Sequence, residues 1–353
     1  MSEIEIRDFD GPLEALPEMA RDTLAEEYGD RTWLDWNRPE LARLHFADAA
    51  EPRDLIGAYD GGRLVGFIAN LPRTYRLNGA AYRGVACVMM STHKDYRGAA
   101  VYLIAESLRR VAEAGVDLAF FTAETGKRGW GLLERLRGGG FGFRVERLKR
   151  MRALVRGIRL DRIVESQRLK RHEALAVRLI GAHRPIAAPR VAGTVRPYRS
   201  ADLDAVLELV GRYTDRNSLV RVFGRDSLAR RLDAPGLTAT VVYERDGAAA
   251  GFINFTVHEL VSPRGRDRWA WLDLLHWDGL APKERRALLA GLWQAGRERG
   301  CIGILEWDRG YYPKSALYLA RFVPSSHAVQ AFALVLNPRL QPANVKGLVE
   351  LII

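Results

Sequence analysis

The chain has 353 residues, 48% of them hydrophobic and 27% charged, which is enough apolar material for two cores and carries no compositional sign of disorder, since compact domains usually hold about 100–200 residues. Its two cysteines, Cys87 and Cys301, each lie inside an apolar strand-like run and read as buried small hydrophobes, and its seven histidines show no zinc-site spacing, so neither a disulfide framework nor a metal is expected. The net charge of +11 sits almost wholly in one place, because fourteen Arg or Lys and only four acids stand between Arg144 and Arg190.

The start, Met1-Ser2-Glu3-Ile4-Glu5-Ile6-Arg7-Asp8, has neither the basic lead nor the apolar core of a secretory signal, and no uninterrupted apolar run approaches membrane-spanning length. A cytoplasmic protein is expected. From Glu3 to Phe9 the residues alternate as in a strand, and a helical pattern with a cluster of acids continues to Tyr28. Leu55 to Ala69, interrupted by Asp60-Gly61-Gly62-Arg63, reads as a β-hairpin. Tyr82 to Thr92 is strand-like, Val101 to Ala114 has helical spacing and stops at Gly115, and Val116 to Thr122 is a strand. Trp130 to Arg137 is helical, Gly138-Gly139-Gly140-Phe141 is a loop, and strand spacing resumes from Val145 to Val155.

The same order returns roughly 190 residues later, a long-period internal repeat. Gly193 to Leu203 is a strand running into a helix with Ser200 as N-cap, and Ala239 to Val257 is a hairpin broken at Arg245-Asp246-Gly247. Trp269 to Trp277, Glu284 to Arg299, Cys301 to Trp307, Lys314 to Leu319 and Ala328 to Leu336 then alternate strand, helix, strand, helix, strand. The fold class expected is α/β (α+β), with one unit over residues 1–155, a basic helical linker over 156–190 and a second unit over 191–353. In that linker, apolar residues from Ile163 to Ile180 recur at helical spacing with arginines between them, which predicts an amphipathic helix.

Where a strand opens into a helix through a turn of small residues, the free backbone N–H groups and the positive end of the helix dipole form a phosphate-binding place. Thr92-His93-Lys94-Asp95-Tyr96-Arg97-Gly98-Ala99-Ala100-Val101 is such a junction. The stretch from His93 to Gly98 resembles the lead-in to the pyrophosphate loop of the GNAT superfamily of N-acyltransferases, whose later loop glycines are here replaced by Ala100 and Tyr102. The hairpin at Asp60 to Gly66 and the Arg196-Pro197 lead-in to a helix are also common there. The corresponding junction of the second half, Gly279-Leu280-Ala281-Pro282-Lys283-Glu284-Arg285-Arg286, has no glycine turn. The whole resembles tandem GNAT proteins such as the N-myristoyltransferases, with the donor site in the first half.

The resemblance implies two tandem GNAT folds, each a mixed, mostly antiparallel sheet flanked by helices, and acyl-CoA (acetyl-CoA or longer) as co-substrate. It implies transfer of the acyl group to a primary amine of a small molecule or peptide. It places Arg97, Gly98, Ala99, Ala100 and Val101 at the pyrophosphate, and a backbone amide near Met89, Met90 or Ser91 at the thioester carbonyl. The tyrosine that often protonates the leaving thiolate is replaced by the run Leu132-Leu133-Glu134-Arg135-Leu136. Glu124, just beyond the strand that ends at Thr122, is the candidate base. His93 reads as a strand-end surface residue and Tyr102 as packing. Ile353 is a second place for a base, because a buried terminal carboxylate serves in the N-myristoyltransferases.

Residues Asp273, His276, Trp277, Glu306, Trp307, Asp308, Tyr311 and Tyr312, at the ends of second-half strands, are candidates to line the acceptor cleft. The excess arginine between Arg144 and Arg190 suits the 3′-phosphate of coenzyme A, an acidic substrate, an anionic membrane surface or RNA. Two other readings follow: a transferase taking its acyl group from aminoacyl-tRNA, and a non-catalytic GNAT-like binding module.

Overall fold

The computed structural model describes residues 4–29, 32–34, 38–49, 51–137, 143–167, 169–213, 218–343 and 345–350. The first half runs β1 (Glu5–Asp8), α1 (Ala15–Tyr28), β2 (Trp33–Leu34), α2 (Pro39–Phe46), β3 (Leu55–Asp60), β4 (Arg63–Leu77), β5 (Ala80–Thr92), α3 (Ala99–Glu113), β6 (Leu118–Glu124), α4 (Arg128–Arg137) and β7 (Arg144–Gly157). Next come α5 (Leu160–Ser166) and α6 (Arg171–Ile180). The second half runs β8 (Thr194–Pro197), α7 (Leu203–Tyr213), β9 (Ser218–Val222), α8 (Arg225–Leu232), β10 (Thr238–Arg245), β11 (Ala248–Ser262) and β12 (Gly265–His276). It ends with α9 (Pro282–Glu298), β13 (Cys301–Trp307), α10 (Ser315–Leu319), β14 (Val323–Val335) and β15 (Gly347–Val349).

The strands form one mixed, mostly antiparallel sheet in the order β1-β3-β4-β5-β6-β14-β7-β13-β12-β11-β10-β8, with β2, β9 and β15 attached beside it. Read inward from either edge, the two halves match. Along the main run of strands each has an antiparallel ladder, a parallel pair (β5 with β6, β12 with β13), and a register shift on the neighbouring ladder, at Phe67/Ala69 in the first half and Asn254/Phe255 in the second; β9 and β15, beside the run, are also parallel. At the centre the last strands are exchanged. Strand β14, late in sequence, lies between β6 and β7, while β7 pairs on its other side with β13.

Packing follows from the sequence period. In α1 the buried residues Leu16, Met19, Ala20 and Thr23 recur at helical spacing and face the sheet, which leaves Asp22 and Glu26 outward. In α3, Leu103, Ile104, Ser107 and Val111 are buried. A Cβ on Gly66 would lie 2.8 Å from Leu103 Cδ1, so only glycine lets α3 approach β4 this closely. One apolar cluster joins the halves, with Phe67, Leu71 and Phe120 from the first and Trp269, Trp271, Trp307 and Leu348 from the second.

Two expectations are corrected. The amphipathic helix over Ile163 to Ile180 is two helices, because the chain breaks between Ser166 and Arg171, and the backbone N–H of Lys170 is capped by the Glu173 carboxylate (2.8 Å). Ser200 is not the helix cap: Ser200–Asp202 is a 3₁₀ turn, and the Asp202 carboxylate accepts from the Arg199 N–H and from Arg196. The glycine loop at 138–141 and Ile353 lie outside the described residues. No described helix is long and apolar enough to cross a membrane, and the described residues hold no cluster of metal-ligating side chains.

Candidate active site

Strands β5 and β6 pair only from Gly84 to Ala86 with Leu118 to Phe120 and then diverge. The divergence coincides with the bulge on β5, where Met89 has φ of +55°, a left-handed conformation that costs a non-glycine residue energy of order 1–3 kcal/mol. Such a bulge leaves its extra residue out of the ladder. Below it opens a cavity of about 1140 Å³. Val88, Met89, Met90 and Ile104 line its first-half end, Glu124, Tyr28 and His327 its middle, and Trp269, Trp271 and Trp307 its second-half end. Helices α5 and α6 form a further wall through Ile163, Val177 and Ile180.

At the middle of the cavity, Glu124 is the last residue of β6 and accepts a hydrogen bond from the Tyr28 hydroxyl at 2.8 Å. His327 Nδ1 lies 3.6 Å from the same carboxylate. His327 reaches it because β14 pairs with β6 in a register that sets Val329 opposite Glu124. Lys127 Nζ stands 4.0 Å from the centre of the Tyr28 ring. Burial alone would raise the Glu124 carboxyl, but the nearby His327, the hydrogen bond from Tyr28 and the charge of Lys127 hold it below its ordinary value. Tyr28 is pushed well above the usual phenol range, first by burial and then by the Glu124 charge, so it is a donor only.

The phosphate-type junction is built as a tight turn. His93 is buried, not at the surface: its Nδ1 accepts from the Asp95 N–H at 3.3 Å and its Nε2 is 3.3 Å from Arg63, so it shapes the turn ahead of α3. Gly98 has helical φ and ψ of −62° and −25°, and a Cβ there would meet nothing within 4 Å, so its smallness leaves open surface and is not required by the backbone. Ala99 is buried, while Val101 and Tyr102 stand exposed on the first turn; Tyr102 is therefore not packing. Acids of α1 meet the cations here: Asp22 pairs with Lys94 (3.2 Å), and Glu26 pairs with Arg97 and with Arg128 (3.2 Å).

Of the residues singled out from sequence, Met89, Met90 and Glu124 come together on the cavity. Ser91 lies on the β5 ladder opposite Phe67 and is not among the lining residues. Arg97 to Val101 form the separate junction at the start of α3. Tyr28 and His327 were missed. Tyr28 closes an amphipathic helix with nothing local to mark it, and His327 is brought in by strand pairing.

In the second half the matching gap is filled. The Asp273 bulge lies where Met89 lies in the first. Arg309, with no exposure, donates to the Leu272 carbonyl (3.2 Å) and the Asp273 carbonyl and makes a two-point pair with Glu306 (3.0 and 2.9 Å). The Tyr312 hydroxyl completes Glu306, and the Tyr311 hydroxyl accepts the Leu275 N–H (3.1 Å). The start of α9 is satisfied by its own Glu284, which accepts from the Ala281 N–H (2.7 Å). Of the eight cleft candidates, Trp307 lines the cavity; Asp273, Glu306, Tyr311 and Tyr312 are spent on this plug, His276 and Trp277 are buried, and Asp308 pairs with Lys314 (2.6 Å). Glu306→Ala leaves Arg309 charged and unpaired in the interior, and is expected to cost about 3–5 kcal/mol in a urea titration; Glu306→Gln, which keeps one acceptor, is expected to cost less.

An open splay with a bulged strand, a helix start beside it and a filled copy of both define two GNAT-like folds in tandem. Residues 29–133 match the family model of the acetyltransferase (GNAT) domain. The solved structure of Saccharomyces cerevisiae N-myristoyltransferase with bound myristoyl-CoA superposes with a TM-score of 0.76 at 17% identity, covering 99% of this chain and 88% of that one. GCN5-related N-acetyltransferases from Anabaena variabilis (TM-score 0.57, 11% identity, 95% and 73% covered) and Kribbella flavida (0.55, 14%, 95% and 72%) share the fold. No curated protein matches the chain as a relative.

Proposed function

We propose that the protein is an N-acyltransferase that takes its acyl group from acyl-CoA, binds that donor in the first half, and transfers the group to a primary amine held in the cavity. The observation that carries this reading is the continuous cavity lined by the bulge at Met89, by Glu124 and by the tryptophans of the second half. Its volume far exceeds an acetyl group and suits a long acyl chain or a bulky amine, in keeping with the myristoyl-CoA bound by the yeast enzyme.

Backbone N–H groups of Gly98 and Ala99 would take the pyrophosphate, those of Ala100 and Val101 already donating to the Arg97 and Gly98 carbonyls (3.3 and 3.1 Å), with Arg97 released to it from Glu26, and the amide near Met89 or Met90 would face the thioester oxygen. The donor supplies an activated acyl carbon. A carboxylate held below its ordinary value is a weak base toward a free ammonium, but it suits an amine whose acidity rises as its nitrogen bonds to the acyl carbon. The acceptor therefore reacts as the neutral amine, its first proton having gone to solvent; its nitrogen attacks the acyl carbon, and Glu124 takes the second proton from that nitrogen as the N–C bond forms and the C–S bond breaks, while Tyr28 and His327 fix the carboxylate. The thiolate leaves with a proton from solvent.

The test is calorimetric titration with acetyl-CoA, longer acyl-CoAs and free coenzyme A. Gly98→Trp fits the open space at that position and is expected to leave the melting temperature within a few degrees of the parent while weakening acyl-CoA binding about tenfold or more. Unchanged affinity in that variant would place the donor elsewhere. No binding of any thioester by the parent would sink the reading and bring aminoacyl-tRNA or a non-catalytic module forward.

A further inference from the structure

Seven large apolar side chains stand out from the described surface, and five of them, Leu175, Leu179, Ile180, Tyr318 and Leu319, belong to α6 and α10. Single exposed apolar residues need no explanation, but a cluster marks an interaction surface. Leu175 and Leu179 are 55% and 79% exposed and lie four residues apart, on one face of α6. Arg321, two residues beyond α10, reaches the carbonyl of Gly181, which follows α6 (3.5 Å), so the C-terminal ends of the two helices are tied to the same place. On its other side α6 presents Val177 to the rim of the cavity.

Cations surround this patch. Arg171, Arg178 and Arg184 are exposed, and none has an ion pair with a described residue; the one acid of α6, Glu173, is turned back onto the Lys170 N–H. The local field is felt by His183, whose imidazole is held below its ordinary value by burial and then by Arg184, Arg156 and Arg178.

We propose that α6 and α10 form a face that docks on an anionic lipid bilayer, with Leu175, Leu179 and Leu319 entering the acyl-chain boundary and Arg171, Arg178 and Arg184 lying against the headgroups. An amphipathic helix with free arginines beside its aliphatic stripe is the pattern that binds at this depth. A nucleic acid would satisfy the arginines but leave the leucines in water, because bases stack on aromatic rings and not on aliphatic chains. The docking rests on the surface alone and does not depend on acyl transfer. Its consequence is that the rim of the cavity faces the lipid.

The experiment is co-sedimentation of the full chain with vesicles of phosphatidylcholine alone and of phosphatidylcholine with about 30 mol % phosphatidylserine, at low and moderate salt. Binding to the anionic vesicles only is expected, and Leu175→Ser/Leu179→Ser and, separately, Arg171→Glu/Arg178→Glu should each weaken it about tenfold or more. Unchanged melting temperature and acyl-CoA titration in both variants keep the result separate from misfolding and from the donor site. The proposal is overturned if the parent ignores anionic vesicles, or if the serine variant binds them as well as the parent. Binding of an unstructured RNA oligonucleotide that the glutamate variant abolishes, with no vesicle binding, would assign the arginines to nucleic acid and overturn it as well.

Discussion

Expressed separately, segments 1–190 and 191–353 are expected to yield no soluble folded protein, and expressed together they are expected to associate. The reason is the exchange at the centre of the sheet. Without β14, strand β6 exposes the full edge that pairs Leu118 to Glu124 with Val335 to Val329, and such an edge invites aggregation. The first-half core also loses Phe332 and Leu334, which pack with Ile56, Val65 and Phe121. At about 1.5–3 kcal/mol for each large apolar side chain, in a domain whose total stability is about 5–15 kcal/mol, those two residues and the ladder are a decisive loss. Solubility and size-exclusion chromatography read the outcome. A monomeric first segment with a cooperative melt would show that it is complete without the exchanged strand, and would support a domain boundary near residue 155.

Glu124→Gln is expected to lower kcat by about 10²–10³-fold while acyl-CoA affinity stays within about twofold. The side chain keeps its shape and its bond from Tyr28 but accepts no proton. Because the Glu124 carboxyl lies below its ordinary value in the folded protein, the active ionised form persists through neutral pH, and activity is expected to fall only as pH drops through that depressed value. The same sign governs stability: the ionised carboxylate contributes above the ordinary carboxylate range, and the contribution disappears as pH falls through the depressed one. Replacing His327 by Gln should shift the acid limb upward, since one of the groups that depresses Glu124 is then gone. A Glu124→Gln enzyme within about threefold of the parent at every pH would remove Glu124 from the chemistry.

Elements with strong local periodicity were readable in the sequence: α3 with its stop at Gly115, the β3–β4 and β10–β11 hairpins, and the α9–β13 junction all stand close to where spacing places them. Short or mixed segments were not. Strand β9 is held by the distant strands β4 and β15, and helix α8 is tied to Asp48 through Ser227 and Arg230, so no local pattern announces them. The N-cap misreading at Ser200 has a similar origin, because Asp202 outcompetes it through Arg196, whose position is set by β8 and β10. At the site, the bulge at Met89 and the carboxylate of Glu124 could be approached from a strand–helix junction. The company of Glu124 could not, since the register of an exchanged strand decides which residue of 323–335 faces it. The tryptophan wall was half seen: Trp307 stood among the candidates, while Trp269 and Trp271 were read only as part of a strand.

The plug of Arg309, Glu306 and Tyr311 fixes a number that can be counted. A duplicated fold with two open splays would take up two equivalents of donor, and its binding isotherm would show two sites or cooperativity between them. With the second gap occupied by the protein's own side chains and the start of α9 neutralised by Glu284, saturation is expected at one equivalent of acyl-CoA per chain, with a hyperbolic isotherm.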